Sequence, residues 1–212
     1  MNPWILAARP RTLGAAIIPV LAGSALAISV SAFDPLVSAL ILACAVLIQI
    51  ATNFFNDAID HVKGADTAGR LGPIRVTSTG LLPARQVMTG AVLIIALAAL
   101  LAIPLVLRGG GIILLIGILS LFFAYAYTGG PLPLAYLGLG EIFVILFFGL
   151  IAVAGTFYLN TLAFSVAAIL AGLQIGLHSS VLLAVNNLRD LETDRAANKK
   201  TLAARCGLTF AR

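Results

Sequence analysis

The chain carries eight acidic residues, and six of them fall into two groups: Asp57, Asp60 and Asp66, then Asp190, Glu192 and Asp194. Amides lead into both groups at helical spacing. Gln49, Asn53, Asn56 and Asp60 stand at i, i+4, i+7 and i+11, a single helix stripe. Asn186, Asp190 and Asp194 stand at i, i+4 and i+8, with Gln174 and His178 on earlier turns of the same helix. The pattern is thus repeated, as Asn-x3-Asp-x5-Asp and Asn-x3-Asp-x3-Asp. Carboxylates gathered this way repel one another unless a cation lies between them. Hard divalent cations take oxygen ligands, and Mg2+ binds one or two carboxylates while phosphate oxygens complete its shell. Two such groups point to two Mg2+ ions clamping a diphosphate. Lys63, Arg70 and Arg75 beside the first group, and Arg189, Lys199 and Lys200 beside the second, suit an anionic ligand. Arginine grips phosphate oxygens in pairs, and lysine acts as a point charge. Asp57 falls off the stripe and is either a further metal ligand or a solvated loop carboxylate.

The elements that position these groups are membrane helices. Of 212 residues, 61% are apolar and 10% charged, against roughly 45–50% and 25% in a soluble domain. Too few polar residues remain to cover the outside of a soluble fold this small. A spanning helix needs about 20 apolar residues. The sequence predicts six, near Leu13–Phe33, Pro35–Phe55, Val87–Leu107, Gly111–Tyr127, Leu137–Leu159 and Leu162–Val185. The fold class expected is therefore all-α, a polytopic transmembrane bundle forming one domain over residues 1–212. The length of the first run and its Arg-Pro-Arg lead-in favour a span over a cleaved signal. With six spans, every Lys and Arg except Arg108 shares one face, which the positive-inside rule makes cytoplasmic, together with the N-terminus. The net charge of +5 therefore reads as topology, with no nucleic-acid partner. The joints on the opposite face, at Phe33–Pro35, Arg108–Gly110 and Asn160–Thr161, are short. The longer polar ones put function at the cytoplasmic mouth. Two cysteines make no disulfide framework, and two histidines make no zinc cluster. A transporter of organic anions would hold charge in broken helices near the midplane, whereas these spans are nearly free of charge.

The two motifs, Asn56-Asp57-Ala-Ile-Asp60-His-Val-Lys-Gly-Ala-Asp66 and Asn186-Asn187-Leu-Arg-Asp190-Leu-Glu-Thr-Asp194-Arg, resemble the aspartate-rich motifs of the UbiA-type intramembrane prenyltransferases. Trp4-x3-Ala8-Arg9-Pro10-x-Thr12-Leu13, Gly72-Pro73-Ile-Arg75-Val-Thr77 and Thr201-Leu-Ala-x-Arg205-x-Gly207 resemble other parts of that pattern. Tyr127-Thr-Gly-Gly-Pro131-x-Pro133-Leu-Ala-Tyr136-x-Gly-Leu-Gly-Glu141 is the most discriminating stretch. It is similar to the 1,4-dihydroxy-2-naphthoate polyprenyltransferases of menaquinone synthesis. Asn198 replaces an expected Gly, a change that left-handed turns tolerate. The resemblance runs along essentially the whole chain. The family usually has nine helices, so the last three are expected to be missing, which leaves an inactive membrane fragment as one alternative. Another is a prenyltransferase for a different acceptor, such as 4-hydroxybenzoate.

The resemblance implies a Mg2+-dependent enzyme of the bacterial inner membrane, working on a polyprenyl diphosphate and an aromatic acceptor within the lipid bilayer. Its oligomeric state is left open. Asn56, Asp60, Asn186, Asp190 and Asp194 are the expected metal ligands, with Asp66 added by family position. Asp60, Asp190 and Asp194 are the expected catalytic carboxylates. Lys63, Arg75 and Lys199 are the expected diphosphate ligands, with Lys200 behind them. Tyr127 either reaches the diphosphate or anchors at the interface. Glu141 either favours a helix N-terminus or faces the acceptor. His178 is either a base toward the acceptor or a packed hydrogen-bonder, and Gln49 and Asn53 either line the cavity or bond between helices.

Overall fold

A computed structural model describes residues 2–64, 72–131 and 133–211. Among these residues the chain is helical without strands: α1 (Pro3–Ala8), α2 (Pro10–Ser29), α3 (Pro35–Val62), α4 (Ala84–Ala126), α5 (Leu134–Leu137), α6 (Gly140–Thr161), α7 (Val166–Arg189), α8 (Leu191–Ala196), α9 (Leu202–Cys206) and α10 (Leu208–Ala211). The starts follow local chemistry. Pro10 breaks α1 from α2, with Arg9 in the left-handed region at φ 51° and Pro at the first helical position. The Asp34 carboxylate caps α3, accepting from the Leu36 and Val37 N–H groups at 3.0 and 3.1 Å.

Five of these helices (α2, α3, α4, α6 and α7) are long and apolar enough to cross a membrane, where the sequence predicts six spans. The difference lies in α4. At 43 residues it would run ~65 Å if straight, about twice a bilayer's hydrocarbon thickness. It is not straight. Gly110 leaves helical space at φ 70°, ψ −157°, a conformation essentially confined to glycine. The two arms then double back. Val87 and Ala91 near the start pack with Phe54, Phe55 and Ala58 of α3. Tyr125 near the end stacks edge-on to the same Phe55, with ring centroids 5.5 Å apart. The expected turn at Arg108–Gly110 is thus a break at one glycine.

The end of the bundle holding this turn is clasped by polar groups. The Asn160 Oδ1 accepts from the Asp34 N–H at 2.8 Å, and its Nδ2 donates to the Ser38 hydroxyl at 3.2 Å. Arg108 donates to the Leu159 and Asn160 carbonyls at 2.6 and 3.2 Å. The three short joints of that end are therefore tied to one another, which fixes the helices whose far ends carry the site. Midway, α6 and α7 cross at close range through glycines. A Cβ on Gly149 would lie 2.6 Å from the Gly176 Cα, so only small residues permit the approach. The contact falls within a stretch of wide i→i+5 turns, Ile145–Ile151.

Candidate active site

The α3 helix runs on to Val62, beyond the Phe55 limit predicted for its apolar span, so Asn56, Asp57 and Asp60 lie on its last turns. Asp60 is 2% exposed. Its Oδ2 accepts from Arg75 Nη2 at 3.2 Å and from Lys199 Nζ at 2.9 Å. Its Oδ1 accepts from the Tyr136 hydroxyl at 2.9 Å. The Lys63 and Lys199 ammonium groups also lie over the Tyr136 ring, 4.6 and 4.9 Å from its centroid, within cation–π range. Lys63 donates to the Thr128 carbonyl at 2.8 Å, and the Thr128 hydroxyl donates to the Asn56 Oδ1. Burial holds the Lys63 pKa below the ordinary lysine value; Asp60 opposes this shift and Lys199 adds to it. Three predicted diphosphate ligands and two predicted metal ligands therefore share one site. Lys63, Arg75 and Lys199 thus bring positive charge to one site, which suits an anionic ligand.

Asp57 is not a solvated loop carboxylate. It is fully buried, accepting from the Val76 N–H at 3.2 Å, the Thr77 N–H at 3.0 Å and the Thr77 hydroxyl at 2.5 Å. The Thr77 hydroxyl also lies 2.9 Å from the Asp57 carbonyl oxygen. The chain before Thr77 carries Arg75 onto Asp60. Asp57 and Asp60, less than one turn apart, thus do different work: one anchors a loop, and the other meets its arginine.

The second motif straddles a helix junction. Asp190 ends α7 and opens α8. Its N–H still donates to the Asn186 carbonyl at 3.0 Å, and the Asp194 N–H donates to the Asp190 carbonyl at 2.8 Å, so the predicted i, i+4, i+8 relation survives the junction. Arg189 clasps the Asp190 carboxylate through two bonds of 2.8 and 2.6 Å. The Lys199 N–H donates to the Asp194 carbonyl at 2.8 Å, which ties the second motif to the lysine that reaches Asp60. The Asn186 side chain is exposed.

Tyr127 lies in the combined field of both motifs. Burial, then Glu141, Asp60 and Asp194, push its phenol well above the ordinary tyrosine value, so it is a protonated donor at neutral pH. Glu141 accepts from Asn187 Nδ2 at 2.9 Å, joining the start of α6 to the end of α7. Lys200 presents an exposed side chain, and its N–H donates to the Tyr136 carbonyl at 3.1 Å. Asn53 donates to the Ala8 carbonyl at 2.8 Å and the Thr12 hydroxyl at 2.9 Å, a bond between helices. Gln49 donates to Asn53 Oδ1 at 3.3 Å, while its own Oε1 is buried and meets no donor among the described residues. His178 is exposed, with Nδ1 2.8 Å from the carbonyl of Gln174 on its own helix. Asp66, Arg70 and Arg212 lie outside the described residues.

Sequence reasoning assigned no role to Tyr136, Thr128, Thr77 or Asn187. Tyr136 had a signal, since it falls in the stretch most characteristic of the resemblance. The others bond through an ordinary hydroxyl or amide that carries no spacing pattern.

The donor chemistry suits a hard cation, because Asn56, Asp60, Asn186, Asp190 and Asp194 all offer oxygen. Among the described residues no three His, Cys, Asp or Glu side chains form a ready-made cage. Mg2+ does not require one when phosphate oxygens complete its shell.

A profile of the UbiA prenyltransferase family matches residues 16–212. The chain is 39% identical to a 1,4-dihydroxy-2-naphthoate octaprenyltransferase of Haemophilus influenzae, over 98% of this chain and 70% of that protein. It is 37% identical to the protein of that name from Escherichia coli, over 99% of this chain and 70% of the relative. With the one from Mycobacterium tuberculosis it shares 39% identity over 96% of this chain and 70% of the relative.

Proposed function

The chain belongs to the UbiA prenyltransferase family, and from that membership we propose that it transfers a polyprenyl group from a polyprenyl diphosphate to 1,4-dihydroxy-2-naphthoate. The acceptor loses its carboxyl group as CO2, and the product is the quinol form, a demethylmenaquinol. The observation that carries the reading is the convergence of Lys63, Arg75 and Lys199 on the Asp60 end of α3, beside the second motif. The relatives' names supply the acceptor. We read the two arms of α4 as separate crossings, with this end of the bundle facing the cytoplasm of a bacterial cell and the isoprenoid tail lying among apolar helices.

The chemistry proceeds by loss of diphosphate. The allylic C1–O bond breaks and its electron pair leaves with the diphosphate. The ring carbon bearing the carboxyl then bonds to C1, and departure of CO2 restores the ring. Lys63, Arg75 and Lys199 neutralise the departing anion, Arg75 by paired N–H donors and the lysines as point charges. The protonated Tyr127 donates to a phosphate oxygen. Asn56, Asp60, Asn186, Asp190 and Asp194 would hold Mg2+, which would supply Lewis acidity and a template for the diphosphate. An apolar surround keeps water from the allylic cation.

Acceptor competition tests this. The chain in lipid vesicles receives a polyprenyl diphosphate with equal amounts of 1,4-dihydroxy-2-naphthoate and 4-hydroxybenzoate, and products are weighed by mass spectrometry. The expected product is the decarboxylated naphthoquinol adduct alone. A 4-hydroxybenzoate adduct, or no adduct, would overturn the acceptor assignment.

A further inference from the structure

Just inside the anion site, four aromatic rings meet between two helices. Phe143 and Phe147 of α6 stack with centroids 4.3 Å apart and planes 19° apart. Phe123 of α4 crosses both, at 5.2 and 5.5 Å and at 66° and 68°. Tyr127 joins them 5.6 Å from Phe143. The two backbones stand apart along this stretch, with rings spanning the gap. All four side chains are half-buried.

Its level matters. Thr128, the neighbour of Tyr127, binds both Lys63 and Asn56, which puts Tyr127 at the rim of the anion site. Phe123 is one helical turn deeper, ~6 Å along the axis. A prenyl diphosphate held by its anionic head places C1 immediately below that head. C1 and C3 carry the positive charge once the diphosphate leaves. Aromatic faces attract cations through their quadrupole, more strongly where water is excluded. Aliphatic side chains would fill the same gap without that attraction.

Resting on the prenyl-transfer reading, we propose that Phe123, Phe143, Phe147 and Tyr127 form a π wall that stabilises the allylic cation between diphosphate departure and attack by the acceptor. The wall acts on the charge that develops at C1 and C3, so it lowers the barrier to C–O cleavage. It also holds the cation for the acceptor rather than for water.

The test uses single-turnover rates with the full chain in vesicles, so that product release does not mask chemistry. Phe143 and Phe147 are replaced in turn by mono-, di- and trifluorinated phenylalanine, which drains the ring face of charge while scarcely altering its volume. Phe143→Leu and Phe143→Trp accompany the series. The rate is expected to fall step by step with fluorination at one or both positions, by about tenfold overall, with donor affinity unchanged. Phe143→Leu should match the trifluoro ring and release more polyprenyl alcohol through capture by water, and Phe143→Trp should restore the rate. A flat series at both positions, with Phe143→Leu as fast as the parent, would overturn the wall while leaving prenyl transfer standing. A parent chain that transfers no prenyl group would overturn the reading beneath it and the wall together.

Discussion

Asp60→Ala is expected to lower prenyl transfer by roughly a thousandfold and, in the same protein, to tighten metal-free pyrophosphate binding. The two effects move in opposite directions because Asp60 has two partnerships. Toward the substrate, on the proposed reading, it is a buried oxygen ligand for a divalent cation. Toward the protein it is the counter-charge for Arg75 and Lys199 and the acceptor for Tyr136. Without it the cations keep their places near Lys63 but lose the carboxylate with which a diphosphate must compete. Binding of pyrophosphate in EDTA should therefore strengthen, by about tenfold, while catalysis collapses. Isothermal titration with pyrophosphate and a rate assay read the two effects separately. A parallel loss of both would show that Asp60 holds the site together and has no separate part in the chemistry.

The second large effect is expected at a residue that the anion never touches. Asp57→Ala removes the acceptor for two backbone N–H groups and a hydroxyl in the interior. Hydrogen bonds to a charged acceptor contribute about 1.5–3 kcal/mol each, and donors left buried without an acceptor cost a similar amount. The loop from Arg75 to Thr77 then loses its hold on α3, and Arg75 with it. Thermal inactivation should come markedly earlier, and turnover in surviving protein should fall by about ten- to a hundredfold through misplacement of Arg75. Asp57→Asn keeps one acceptor oxygen and should recover part of both. Thr77→Val deletes only the hydroxyl's bonds and should lose about 1 kcal/mol. An Asp57→Ala protein with the parent's heat resistance would show that the loop is held by other contacts.

These two aspartates mark where the sequence was legible and where it was not. Asp60 lies on a stripe with Gln49, Asn53 and Asn56, and a stripe of polar groups on an apolar helix stands out by periodicity. Asp57 lies on a face whose partner is the backbone of a loop, and backbone N–H groups leave no trace in side-chain types. The pairing of Asp60 with Lys199 spans 139 positions, so only the nearness of each to its own motif could suggest it. The apolar runs located the helices to within about a turn, except that α3 runs on past Phe55 to Val62, and α4 is unbroken but for Gly110, because a doubled-back helix needs one glycine and no polar loop. The Asn160 clasp was hidden for the opposite reason. Its residues look like an ordinary short joint until Asp34 and Arg108 are brought beside it. The second motif kept its spacing across the α7–α8 junction because the i→i+4 backbone bonds continue through Asp190.

The central claim is that the two amide–carboxylate motifs and their cations hold the head of a prenyl diphosphate through a divalent ion. Retention of a radiolabelled polyprenyl diphosphate by the chain in lipid vesicles, measured in Mg2+ and then in EDTA, with inorganic pyrophosphate as competitor, tests it most directly. The account predicts retention that falls to the level of empty vesicles in EDTA, returns with Mg2+, and is displaced by pyrophosphate. Retention unaffected by both EDTA and pyrophosphate would mean that the apolar tail alone is bound, and would contradict it.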